Sequence, residues 1–176
     1  PPLTLRVNAR RMGAAEWLSL HAGTGLAARL VAPEAILIAD GRGVDRIPGF
    51  REGVVSVQDA GAQWAACLLD AGPHMRVLDA CAAPGGKTCH VLEIADVELT
   101  AIDSDAMRLQ RVQENLDRLA LRAQLRCADA SRPEGWWDGR LFDRILCDAP
   151  CSSSGVVRRH PDSKWLRREA DIATYV

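Results

Sequence analysis

The sequence reads as an α/β protein built on a doubly wound parallel sheet, preceded by a small α+β lead-in. From residue 75 onward four short apolar runs follow one another: MRVLDA (75–80), ELTAID (98–103), AQLRCAD (123–129) and FDRILCD (142–148). The first two gaps carry helical patterns, GKTCHVLEIA and DAMRLQRVQENLDRLAL, and the third, ASRPEGWWDGRL, is mostly loop. Each run also ends at or near an aspartate: Asp79, Asp103, Asp129 and Asp148. Strands alternating with helices predict parallel pairing, and right-handed crossovers predict helices on both faces of the sheet.

The elements ahead of the sheet are less regular. LTLRVN alternates as a strand, AAEWLSLHAG has helical spacing, AILIAD is an apolar strand, and DGRGVDRIPGF has turn chemistry. This lead-in spans residues 1–52, and no residue in it stands out chemically. In VVSVQDAGAQWAACLLDAG a strand passes into a helix capped near Gln58 or Asp59, with Trp64, Cys67 and Leu68 on one face and Gly72-Pro73 as the stop. The main domain is accordingly assigned to residues 53–176.

With 176 residues, 48% of them hydrophobic and 26% charged, the chain can bury a real core and is not of disordered composition. A formal net charge of -1 gives no overall attraction to nucleic acid, so any such contact requires a local patch. The six cysteines, at 67, 81, 89, 127, 147 and 151, form no C-x-x-C pair and have no histidine at zinc spacing. No signal peptide or membrane-length apolar run occurs. The expectation is a cytoplasmic protein with reduced thiols, no metal and no membrane contact. An opening on Pro1-Pro2 and an end at Val176, just after a basic amphipathic segment, read as a piece of something longer.

In an open parallel sheet, ligands bind outside the carboxyl ends of the strands at the topological switch point, so the four aspartates are expected around one crevice. An aspartate after a strand is also ordinary turn or helix-cap chemistry, but four in register are harder to explain that way. The loop after the first strand, ACAAPGGKT, places Gly85 and Gly86 where backbone can approach a ligand and leave N–H groups free at a helix start. It falls one residue short of a P-loop, with Cys81 where glycine is required, so a P-loop-like nucleotide-binding protein stays as an alternative. Asp103 is placed to take two ribose hydroxyls and Asp129 to accept from an adenine amino group. With the loop Cys81, Ala82, Ala83, Pro84, Gly85, Gly86 and Lys87 beneath, the set fits S-adenosylmethionine better than a polyphosphate.

DACAAPGGKT, together with DAPCSSSGVVRRHPDSKW and PGFREGVVSVQDAGAQ, closely resembles the bacterial Sun/Fmu family of ribosomal-RNA cytosine-5 methyltransferases. The resemblance covers the chain from about Ile47 onward and, more loosely, the lead-in. It implies a Rossmann-like class I methyltransferase that moves a methyl group from S-adenosylmethionine to carbon 5 of a cytosine in 16S ribosomal RNA. It further implies that the sheet has strands beyond those present here and that the lead-in is an RNA-binding accessory subdomain.

Such chemistry needs a thiolate, because carbon 5 of cytosine becomes nucleophilic only after a cysteine adds to carbon 6. Asp148 can reach the ring edge, where charge develops, or the methionine ammonium group. Spacing alone would make Cys151 the attacking thiol. The resemblance instead implies that the nucleophile is a cysteine in a later Thr-Cys-Ser motif and that Cys151 assists product release. No Thr-Cys-Ser occurs in the sequence, so the chain by itself is expected to be inactive, a cofactor- and RNA-binding module. The bland alternative for Cys151 is a small residue filling a loop. Cys67, Cys89, Cys127 and Cys147 are expected to be core thiols. In VVRRHPDSKWLRR, the residues Arg158, Arg159, His160 and Lys164, with Arg167 and Arg168, form the local basic patch, and Trp165 is either a base-stacking platform or a core anchor. Lys87 either steadies Asp148 or touches the target nucleotide. FDRILCD would be an unpaired sheet edge that invites self-association.

Overall fold

The computed structural model describes residues 3–39, 43–151, 161–166 and 168–174, with only the backbone at 163, 164 and 172–174. The lead-in folds as a four-stranded antiparallel sheet. Its strands are β1 (Leu3–Val7), β2 (Ala28–Ala32), β3 (Ala35–Ile38) and β4 (Val55–Val57), in the order β2-β3-β1-β4. Helix α1 (Ala14–Leu20) packs Trp17 onto its inner face against Leu5, Val7, Ile36, Ile38 and Val55. β4 pairs with β1, Val57 opposite Leu5 and Val55 opposite Val7, so the lead-in sheet reaches past the boundary expected at residue 52.

Helix α2 (Ala60–Leu69) begins where expected: the Asp59 carboxylate accepts the Gly61 N–H, and Asp70 ends the helix in the left-handed region. Its orientation is not the expected one. Gln63 and Ala66 face inward, and Trp64, Cys67 and Leu68 are exposed.

The second sheet is parallel, with β5 (Arg76–Asp79), β6 (Glu98–Asp103), β7 (Gln124–Cys127) and β8 (Arg144–Leu146) in the order β7-β6-β5-β8. Its two faces can be read from alternate residues. Val77, Leu99 and Ala101 pack with helices α3 (Gly86–Ile94) and α4 (Ala106–Leu119). Leu78, Ala80 and Ile102 pack with Ala130, Trp136 and Phe142.

Helices α2, α3 and α4 touch in sequence on one side of this sheet, so the expectation of helices on both faces is not met among the described residues. Strand order supplies the reason. The two crossovers β5 to β6 and β6 to β7 step the same way and place their helices on one side. The chain then reverses to bring β8 beside β5, and that third crossover passes over the other face as a loop with one short 3-10 turn at Pro133–Gly135. The switch point therefore lies between β5 and β8.

Candidate functional site

At the carboxyl ends of the parallel strands is a cleft of about 810 Å³, lined by Cys81, Ala83, Asp103, Arg108, Asp129, Ser131, Asp148, Pro150 and Cys151 among others. Three of the four strand-end aspartates line it. Asp79 does not: its side chain is buried beneath, where Oδ2 accepts the Thr88 hydroxyl at 2.6 Å. Burial pushes its pKa up, partly offset by Thr88 and the Lys87 charge.

Asp103 closes β6 with a carboxylate that is only 4% exposed. Oδ2 accepts the Ala83 N–H at 3.1 Å and Oδ1 the Asp105 N–H at 3.1 Å, which leaves each oxygen a second lone pair for a ligand hydroxyl. Asp129 sits two residues past β7 in a local turn, taking both the N–H and the hydroxyl of Ser131 on Oδ1 at 2.9 and 2.7 Å. Those bonds hold its carboxyl below the usual range. Asp148, two residues past β8, is ion-paired with the Lys87 ammonium at the start of α3, so of the two readings of Lys87 the geometry shows the steadying contact.

The glycine-containing loop is built differently from the expectation. Gly85 has φ of +97°, and a Cβ there would lie 3.1 Å from the Cα and Cγ1 of Val112. Its lack of a side chain lets α4 pack against the loop. The Gly86 carbonyl oxygen accepts from the Arg6 guanidinium, 2.8 Å away. Pro84, Gly85 and Gly86 line a second cavity, of about 270 Å³, on the lead-in side with Arg6, Phe50 and Arg118. Of the loop residues expected to hold the cofactor, Cys81 and Ala83 line the aspartate cleft, Ala82 is buried, and Lys87 reaches it through Asp148.

The thiols also separate. Cys89 is buried, with its pKa pushed up to about 12 by desolvation. Cys67, Cys127 and Cys147 are exposed, contrary to the expectation of core thiols, because α2 turns the Cys67 side outward and β7 and β8 are edge strands. Burial, then the neighbouring Cys147 and Asp103, raise the Cys81 thiol. Cys151 is exposed and on the cleft wall, so it is more than a loop filler by position. The sequence does contain one Thr-Cys pair, Thr88-Cys89, which motif reading passed over; it is followed by His90 and lies inside α3, with Thr88 bonded to Asp79.

Arg158, Arg159 and His160 lie outside the described residues, as does Arg167, and of Lys164 only the backbone in α5 (Ser163–Leu166) is described. Trp165 is 79% exposed, which removes its reading as a core anchor. Among the described residues no group of three or more His, Cys, Asp or Glu could hold a metal ion, and no helix is long and apolar enough to cross a membrane.

Sequence reading found nothing in the lead-in, yet its arginines dock it to the second sheet. Arg6, 1% exposed, donates from Nε and Nη2 to Glu93 and from Nη1 to Gln58 and the Gly86 carbonyl. Arg10 bonds the Glu93 and Ala95 carbonyls that close α3. In return Arg118 of α4 bonds the Phe50 and Val55 carbonyls and stacks on the Phe50 ring at 4.4 Å.

Among curated proteins, the chain is 50% identical over 179 residues to the ribosomal RNA small subunit methyltransferase B of Shewanella oneidensis, which covers 98% of this chain and 41% of the relative. It is 52% identical over 176 residues to that of Pseudomonas putida, with 98% and 40% covered. The chain thus spans about two fifths of the length of these relatives. Among solved structures it superposes on PH0851 with a TM-score of 0.91 at 28% identity, covering 99% of this chain and 40% of that one. A methyltransferase homolog protein from Pyrococcus horikoshii gives 0.81 at 28% identity, with 98% and 55% covered. The family model for 16S rRNA methyltransferase RsmB/F matches residues 66–176, which takes in the whole parallel sheet and the cleft at its carboxyl edge, and the chain belongs to that family.

Proposed function

We propose that the chain carries the cofactor-binding part of an S-adenosylmethionine-dependent methyltransferase acting on carbon 5 of a cytosine in 16S ribosomal RNA. The observation that supports it most is Asp103: a buried carboxylate facing a cleft of about 810 Å³, with one acceptor site free on each oxygen, as a ribose diol requires. Asp129 stands one strand further out, at adenine distance along the sheet edge, and Cys81, Ala83 and Asp148 bound the opposite end. When bound, the cofactor supplies an electrophilic methyl group. The chain's own residues orient it: Asp103 grips the ribose, Asp129 the base, and Asp148, held by Lys87, the amino-acid end or the cytosine edge. Family membership weighs against the P-loop reading.

Cys151 stands on the cleft wall for release of the methylated base, and Arg158, Arg159, His160 and Lys164 contact the RNA backbone, with the lead-in as an accessory RNA surface. The chain alone binds cofactor without methylating, because no Thr-Cys-Ser is present to supply the attacking thiolate. Exposed Ile145 on the short edge strand β8 supports self-association, which sedimentation velocity would show as a concentration-dependent coefficient. The test of the main reading is calorimetric titration with S-adenosylhomocysteine. Charge-assisted bonds to the two hydroxyls are worth roughly 1.5–3 kcal/mol each, so Asp103→Ala should weaken binding at least about tenfold. An unchanged dissociation constant would remove Asp103, and the reading with it.

A further inference from the structure

We propose that Arg108 is the positioning residue of the cofactor cleft, locking the Asp103 carboxylate and the β5–α3 loop into one geometry; this rests on the functional reading above. The three groups close a ring. Ala83 N–H donates to Asp103 Oδ2 at 3.1 Å, Arg108 Nη2 donates to the Ala83 carbonyl at 3.1 Å, and Arg108 Nη1 lies 3.8 Å from Asp103 Oδ1. The last distance is electrostatic contact, not a hydrogen bond.

Arg108 is in the first turn of α4, and its placement follows from the same strand end. Asp105 caps the helix by accepting from the Met107 and Arg108 N–H groups, and the Asp105 N–H is itself held by Asp103 Oδ1. Asp103 thus orients the cap, the cap starts the helix, and the helix returns a guanidinium to Asp103.

A carboxylate that is 4% exposed needs compensation, and among the described residues Arg108 is the one cation within 4 Å of it. Arg108 itself is half exposed and on the cleft wall, so it is not there to fill the core. A planar guanidinium can serve carbonyl and carboxylate together; a lysine offers a single point charge and cannot hold both. The two elements it joins are those that bound the ribose and the amino-acid end, so their spacing sets whether both ends of the ligand are gripped at once.

A double-mutant cycle on the 176-residue chain tests this, with S-adenosylhomocysteine affinity measured for wild type, Arg108→Ala, Asp103→Asn and the double variant. Arg108→Ala should weaken binding roughly tenfold in the wild-type background and less than about twofold in the Asp103→Asn background. Arg108→Lys should recover part of the loss, with thermal midpoints of the variants close to wild type. An equal loss in both backgrounds would show that Arg108 does not act through Asp103, and no loss in either would overturn the proposal outright. If Arg108→Ala fails to fold, the same cycle run with Arg108→Lys decides it on the same coupling. Failure of the wild-type chain to bind would instead strike the functional reading, and this inference with it.

Discussion

Arg6 of β1 and Glu93 of α3 meet in a two-bond fork, Nε to Oε2 at 2.8 Å and Nη2 to Oε1 at 2.7 Å, with both side chains 1% exposed. The residues are 87 positions apart, and the pair ties the antiparallel sheet to the helix that starts at the cofactor loop. Removing one partner of a buried ion pair strands the other charge, at a cost of about 3–5 kcal/mol. Glu93→Gln should therefore lower chemical-denaturation stability by that order, and far more than loss of the exposed Arg51–Asp45 pair in Asp45→Asn. Equal effects of the two would show that the fork contributes no more than a surface pair.

His90 gives the fold an acid dependence of predictable sign. The ring is 1% exposed, its Nε2 is 3.1 Å from Glu34 Oε2, and its Nδ1 has no hydrogen-bond partner among the described residues. Burial, followed by the Arg6 charge, lowers its pKa from 6.5 to about 3. The folded chain thus keeps His90 neutral where the unfolded chain binds a proton. Its contribution is fully present above pH 6.5 and is lost as the pH falls toward 3, with a slope of at most about 1.4 kcal/mol per pH unit. Glu34 opposes this, because burial raises its pKa and the folded chain then holds the extra proton as the pH falls. Urea melts at about pH 7 and about pH 5, on either side of the ordinary histidine pKa, should show wild type losing stability and His90→Gln losing clearly less. Parallel losses would mean that His90 does not carry the effect.

The parallel strands could be read from the sequence because a strand covered on both faces is a short, near-continuous apolar run with punctuation at its end. β2 could not, since residues 29–31 are exposed and lack any one-sided pattern. The strand-end aspartates were legible as a set. Which of them faces the cleft was not, because that depends on where Thr88 places its hydroxyl. Arg6 escaped notice for a related reason: within LTLRVN it has the spacing of a surface residue, and only the docking of a helix 87 positions away buries it. Helices on both faces follow from crossover handedness only where every crossover carries a helix, and the third one contains no long helix to put there.

Gly85 tests whether the loop's glycine serves packing. Its φ is +97°, and a Cβ added there would stand 3.1 Å from both Cα and Cγ1 of Val112, so alanine meets backbone strain and a clash with α4 together. Gly85→Ala should cost on the order of 1–3 kcal/mol in a thermal or urea melt. In the Val112→Ala background part of that loss should return, because truncation removes Cγ1 and leaves the backbone of α4 where it was. No recovery would assign the whole cost to backbone strain.

Cys151 is the one exposed thiol on the cleft wall among the described residues, so its role can be separated from its position. An attacking cysteine bonds to carbon 6 of the pyrimidine, and release then requires loss of the proton at carbon 5. With 5-fluorocytosine no such proton exists, and an enzyme whose nucleophile has attacked and methylated the ring stays attached. The other thiols near the cleft offer no substitute: Cys89 is buried with its pKa pushed to about 12, and burial raises Cys81 as well. If Cys151 serves release, the 176-residue chain incubated with S-adenosylmethionine and 5-fluorocytosine-substituted 16S ribosomal RNA should give no shifted band on a denaturing gel, and no tritiated methyl should enter unsubstituted RNA. A shifted band that disappears in Cys151→Ala would make Cys151 the nucleophile, and methyl transfer alongside it would show that the chain needs no Thr-Cys-Ser to work.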